Sequence, residues 1–391
     1  MTTVNVRAFD DWIRGSFVQM NTELEELYFA QDNKAAVESV GANTKKLLVD
    51  EGRSFVVRLL KEGNTDEGFD CNFDLLGNVG LYMGACRRHE ITEPSREKSS
   101  PLGEASALAM QLGASLGVAP RFATSHLTTH NCAVRGTYKS FTSLEAEYVF
   151  LEYNTRGVFA YKRAADALVR TLPLGITHPI TYDLLSTAKD ALRDVIAFND
   201  KLFEKLDTDR FFYNVRPYYK PYRVWLHEYR GANAGDFAGI NEIDMLLGLC
   251  RADNPSYSHL LVDKFLYMTP EDQARLRDCM RRPSLLDGLL DHLEPYGREA
   301  WFQKNARKFL EVCEVHGQTA AQHHDQLVRK FIEHPAAGLP EENKVNLTAS
   351  GPPLEVVIGA LEKLRDLRMA ADRDDIPTRH ADLQRLRAAV S

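Results

Sequence analysis

FLEVCEVHGQTAAQHHDQLVRKFIEH, residues 309–334, is the stretch on which the reading of this chain turns. It holds no proline until its end, and Leu310, Cys313, Gly317, Ala320, His324, Leu327 or Val328, and Phe331 return every three or four residues, as on one face of a helix. That face is apolar except for one imidazole, His324. Before it come only Ala320, Ala321 and Gly317, a floor on which a macrocycle could lie with its metal over the ring nitrogen. A mid-helix glycine costs roughly 1 kcal/mol against alanine, so Gly317 suggests the close approach of something. The plainer alternative, a helix whose histidine is hydrogen-bonded in the core, stays open on spacing alone.

Around this stretch lies an ordinary soluble composition. A chain of 391 residues can bury a large core and is expected to split into two lobes. Its net charge of -7 argues against nucleic acid or anionic lipid as the main partner. No apolar run approaches the ~20 residues needed to span a bilayer, and MTTVNVRAFDDW lacks the regions of a signal peptide. Six cysteines (Cys71, Cys86, Cys132, Cys250, Cys279, Cys313) stand without short spacing, as reduced thiols in a cytoplasm do.

The first ninety residues read as helical, with Val37, Val40, Leu47, Leu48, Phe55, Val56 and Leu59 as one amphipathic stripe. EITEPSREKSSPLG, residues 90–103, reads as a surface connection. RFATSHLTTHNCAVRGTY, residues 121–138, reads as extended or irregular. Its His126 and His130 have the spacing of a helical metal pair in poor helix sequence, so surface or network histidines are the reading preferred. From Phe159 onward helix follows helix, including 181–206, a capped start at Thr269-Pro270-Glu271-Asp272, 284–293 and 354–369. Strands alternating with crossover helices are missing from the pattern, so a mainly α fold is expected.

Two further stretches carry chemistry. DRFFYNVRPYYKPYR, residues 209–223, interleaves Arg216, Lys220 and Arg223 with six aromatics in fifteen residues. Such a set can clamp a carboxylate and stack on a flat ring; a proline-broken helix end with snorkelling cations reads equally well. EYRGANAGDFAGINEIDMLLGLC, residues 228–250, repeats glycine at Gly231, Gly235 and Gly239 before an apolar helix. This lets backbone approach a bulky flat ligand. It is no phosphate loop, since no Gly-Lys-Ser/Thr follows; close helix packing is the alternative.

In this order the three stretches resemble the indoleamine 2,3-dioxygenase superfamily of haem proteins, and within it the monodechloroaminopyrrolnitrin synthase branch of pyrrolnitrin biosynthesis. The resemblance covers residues 101–369. It implies a large all-helical haem domain, residues 146–391, and a smaller N-terminal domain, residues 1–145, covering the distal side. HDQLVRKFI matches the ligand helix, implying His324 as the iron ligand, with Gly317 and Ala320 beside the haem. Phe211 and Phe212 followed by Arg216 match Phe-Phe-x-x-x-Arg, implying an aromatic wall and a carboxylate clamp for the substrate. Gly231, Asn233, Ala234 and Gly235 match the loop along the haem, and Cys132 is implied near the distal pocket. Thr348-Ala349-Ser350-Gly351 is similar to the family's Thr-Gly-Gly turn with one residue inserted.

The chain also departs from the family. Lys162 stands where the dioxygenases carry a distal serine, or Tyr161 or Arg163 does if the register slips by one, which points away from ordinary indole dioxygenation. Val328 stands where related tyrosine hydroxylases carry a haem-linking cysteine, so haem b is expected to be non-covalent. The expectation is a cytoplasmic haem-dependent oxygenase of tryptophan or a substituted tryptophan, using molecular oxygen or peroxide, with an external electron donor left open. A peroxide-using tyrosine hydroxylase and a haem carrier or sensor are the alternatives. A di-metal carboxylate bundle is weaker, because its Glu-x-x-His pairs should come twice.

Overall fold

The computed structural model describes residues 3–63, 68–333 and 354–390. Its elements are nearly all helices, with one two-stranded hairpin, so the chain is mainly α. Among the described residues no helix is long and apolar enough to cross a membrane. Two compact units form, each from separate segments: 1–152, 205–236 and 331–354 in the first; 153–204, 237–330 and 355–391 in the second.

The first unit is built on Val4–Arg14, Ser16–Phe29, Ala42–Glu62, Phe69–Arg88 and Gly103–Leu116. Thr3 caps the first by accepting from the Val6 N–H. Phe69–Arg88 is buried along most of its length and forms the centre of this unit. A Cβ on its Gly80 would come within 2.2 Å of the Phe122 backbone nitrogen, so this position must be glycine. In the core Phe9 stacks on Trp12 and Phe55, Phe141 stacks on Tyr218, and Phe122 meets Phe141 edge-on. The anticipated stripe before residue 60 is shorter than its pattern suggests. Val37 and Val40 precede the helix and pack with Leu24 and Tyr28 instead, and Leu47 is exposed.

Buried polar groups position the segment after residue 205. Arg88 grips both oxygens of the fully buried Glu25 at 2.7 Å and donates to the Tyr213 carbonyl at 2.9 Å. Asn214 donates to the same carboxylate at 2.8 Å. Phe211–Val215 therefore hangs on a desolvated ion pair whose rupture would strand a charge. The hairpin, Tyr222–Val224 with His227–Tyr229, escapes sequence reading because its strands are three residues long and Trp225 occupies a left-handed turn position at φ 53°.

His126 makes the first unit acid-sensitive. Its ring stacks on Phe73 at 3.9 Å and its Nδ1 faces the Ala123 N–H at 2.8 Å, so it is a packing group here. Burial, with Lys139 nearby, pulls its pKa from 6.5 to about 3. The folded state then binds fewer protons than the unfolded state between those values, so stability is complete above pH 6.5 and drains as pH falls toward 3. Urea titrations should show His126→Gln and the parent parallel above about pH 7, with the variant's pH dependence shallower by about 1.4 kcal/mol per pH unit between about pH 6 and 5. Equal slopes would show that this ring is not held neutral.

The second unit packs Pro179–Lys205, Ala238–Leu247, Pro255–Phe265, Pro270–Cys279, Leu285–Asp291, Ala300–Gln322, Leu354–Arg368 and His380–Val390 around one core. The capped start is as expected, with Thr269 accepting from Asp272 N–H at 3.3 Å. At the centre, Asp244 takes His316 Nε2 at 2.7 Å, the Tyr257 hydroxyl at 2.8 Å and Arg368 Nη2 at 2.8 Å. Burial alone would raise its pKa, but Arg368 and His316 hold the carboxyl well below its usual range. The stretch expected as one helix changes character: α-helix ends at Gln322, and His323–Glu333 is wound as π-helix.

Candidate active site

In the first unit the expected aromatic clamp occupies a single irregular turn. Phe211–Val215 is π-helical and Arg216–Tyr219 is a 3-10 turn, a winding frequent at functional sites. Pro217, inside that turn, brings no N–H and cannot continue an α-helix. Phe212 is fully buried and lies 5.7 Å beneath the Arg216 guanidinium. Phe211 is half-buried, 5.1 Å from the Phe150 ring and 5.9 Å from Phe331.

The three cations of this stretch separate by their partners. Arg223 gives Nη1 to the Leu226 carbonyl at 2.8 Å and Nη2 to the Pro94 carbonyl at 3.1 Å, so it is a structural group. Lys220 is buried, and its charged neighbours are Arg87, Arg88, Glu90 and Glu93; burial and the two arginines draw its pKa down to about 7. The half-buried Arg216 side chain makes no hydrogen bond or ion pair among the described residues. Partial burial pulls its pKa to about 10, leaving it charged at neutral pH. A guanidinium without an acceptor is open to an anion, and its planar fork fits a carboxylate.

The glycine-rich loop is pinned from both ends. Arg230 meets Asp236 twice, at 3.0 and 2.8 Å, and Asp236 also accepts the Asn233 N–H at 2.8 Å. Thr124 donates its hydroxyl to the Asn233 carbonyl at 2.7 Å, and Arg121 donates to the carbonyls of Tyr229 and Arg230. Gly231 is buried, Asn233 and Gly235 half-buried, and Ala234 exposed. Cys132 lies exposed on a loop, away from the buried 3-10 turn Thr124–Leu127. In that turn the Ser125 hydroxyl is buried without a partner, a feature that sequence reading passed over because one serine among threonines gives no pattern.

In the second unit the histidines are told apart by their ring nitrogens. His316 spends Nε2 on Asp244, and His323 is exposed. His324 is 4 % exposed, and its Nε2 is buried with no hydrogen-bond partner among the described residues. Such an orphaned atom costs ~1–3 kcal/mol unless a ligand satisfies it. A buried imidazole with a bare ring nitrogen fits an iron centre. Ala320 shares its buried face, one turn before. Gly317 has a nearer explanation: a Cβ there would meet Met369 Cα and Cγ at 3.3 Å, so the close approach is by the chain itself.

Lys162 is also accounted for within this unit. Its Nζ lies 3.1 Å from Asp272 Oδ1, and Asp272 Oδ2 accepts the Ala238 N–H at 3.3 Å. A lysine paired in this way anchors a helix start. Beside it, Tyr161 stacks 5.8 Å from Phe237 and its hydroxyl bonds to Thr319, while Arg163 pairs with Asp194 at the surface. The turn Thr348-Ala349-Ser350-Gly351 lies outside the described residues.

The family model described as monodechloroaminopyrrolnitrin synthase PrnB matches residues 3–390, nearly the whole chain. The chain belongs to the monodechloroaminopyrrolnitrin synthase PrnB family and is an enzyme, a haem-dependent oxygenase of a tryptophan-derived substrate.

Proposed function

We propose that this enzyme oxidises or rearranges the indole of tryptophan or a ring-substituted tryptophan, holding haem b non-covalently through His324. The observation that carries the reading is the buried Nε2 of His324, partnerless among the described residues. When bound, the haem supplies the redox and oxygen chemistry that side chains lack. The chain contributes binding and orientation. Arg216 receives the substrate carboxylate, Phe211 and Phe212 form a rigid aromatic wall, and fixing the amino-acid end fixes which ring atom is presented. Gly231, Asn233, Ala234 and Gly235 form a loop of small residues suited to lie along a macrocycle edge, held in shape by Asp236. Cys132 stays a candidate for the substrate side by resemblance alone. Attachment through sulfur is disfavoured: Val328 is buried four residues past His324, and burial pushes the Cys313 thiol well above its usual range.

Single-turnover reactions of the reduced holoenzyme with oxygen and tryptophan, 7-chlorotryptophan or tyrosine test this reading through product masses. The indole substrates should be consumed in preference to tyrosine, because the larger ring buries more apolar area at ~25 cal/mol per Å². Gain of two oxygen atoms marks dioxygenation, gain of one hydroxylation, and loss of carboxylate with ring rearrangement the pyrrolnitrin-type course. Unchanged masses for all three substrates would overturn the proposal.

A further inference from the structure

We infer that Asp325, steadied by Arg365, is the positioning group that selects the His324 tautomer able to bind iron; this rests on His324 as ligand. The Nδ1 atom of His324 has two polar neighbours. Asp325 Oδ1 lies at 3.2 Å and Arg365 Nη1 at 3.4 Å. They demand opposite protonation of the ring. With the proton on Nδ1, the ring donates to Asp325, and Nε2 presents a lone pair. With Arg365 donating to Nδ1, the proton must sit on Nε2, and that atom cannot coordinate a metal.

The distances favour the first arrangement. The arginine contact is the longer of the two and near the limit of a hydrogen bond. Arg365 is also drawn off by better acceptors, with Nε 2.8 Å from Asp366 Oδ1 and Nη2 3.4 Å from Glu362 Oε1. Its Nη1 lies 3.9 Å from Asp325 Oδ1 and so supports that carboxylate's charge. The carboxylate therefore keeps the Nδ1 proton, orients the ring and makes Nε2 a stronger donor, as partners of metal-bound histidines do. Helix Leu354–Arg368 thereby acquires a role toward the iron ligand through a residue that no ligand motif includes.

The test uses holoenzyme carrying Asp325→Ala or Asp325→Asn, with His324→Ala given excess haem as the reference, and it does not depend on turnover. In Asp325→Ala the iron–histidine stretching band of the ferrous protein should move to lower frequency, the midpoint potential should rise, and haem transfer to apomyoglobin should be roughly tenfold faster. Asp325→Asn, which keeps a neutral acceptor, should shift each in the same direction by less. A merely structural Asp325 would leave band and potential in place, and that result overturns the inference. His324→Ala separates the two levels: loss of the band there, with none of these shifts in Asp325→Ala, sinks the Asp325 role alone. Retention of the band in His324→Ala sinks both.

Discussion

His324→Ala should purify almost free of haem, with its Soret absorption lost and haem affinity down by more than about a hundredfold. The size follows from the kind of bond removed: weakening an outer partner of a metal ligand already costs ~10–100-fold, and here the ligand itself is deleted. The comparison with the two neighbouring histidines gives the result its meaning. His323 is exposed, so His323→Ala should retain haem and an unchanged spectrum. His316 is fully buried and bound to Asp244, so His316→Ala should retain the ligation type yet lose about 1.5–3 kcal/mol of stability with the hydrogen bond to that carboxylate, which Arg368 still pairs. Exogenous imidazole entering the space left in His324→Ala should restore part of the Soret band. Full haem with a five-coordinate histidine spectrum in His324→Ala would refute the assignment.

The helical architecture was legible because amphipathic spacing and caps act locally. Thr269-Pro270 starts a helix where its side-chain chemistry says it should. The π-helical winding of Phe211–Val215 and His323–Glu333 was not legible, since one extra residue per turn leaves the apolar pattern nearly unchanged over short spans. Spacing singled out His324 on its face but left open whether it is a ligand or a hydrogen-bonded core histidine; that Asp244 meets His316 and no described residue meets His324 Nε2 is a tertiary fact. Gly317 shows the same limit from the other side. Its occurrence mid-helix correctly announced a close approach, but the approaching atoms belong to Met369. The ion pair of Lys162 with Asp272 is likewise a tertiary fact that no spacing announces.

Arg216→Ala should weaken tryptophan binding tenfold to a hundredfold while leaving haem content unchanged, because a charge-assisted contact is worth ~1.5–3 kcal/mol. Its second expected effect is on stability, and it is small. Removing an arginine from a buried ion pair ordinarily destabilises a protein, because the carboxylate left behind is stranded. The half-buried Arg216 side chain has no such partner among the described residues, so its removal strands no charge. What is lost is a cation–π contact with Phe212 at 5.7 Å, worth ~0.5–1 kcal/mol. The substrate-free variant should therefore stay within about 1 kcal/mol of the parent's stability, and substrate should raise its Tm less than it raises the parent's. Tryptamine, which lacks the carboxylate, supplies the control: it should bind the parent poorly and the variant little worse. A variant that unfolds more readily and still binds tryptophan normally would mean that Arg216 holds structure, and Lys220, buried beside Arg87 and Arg88, would become the next cation to test.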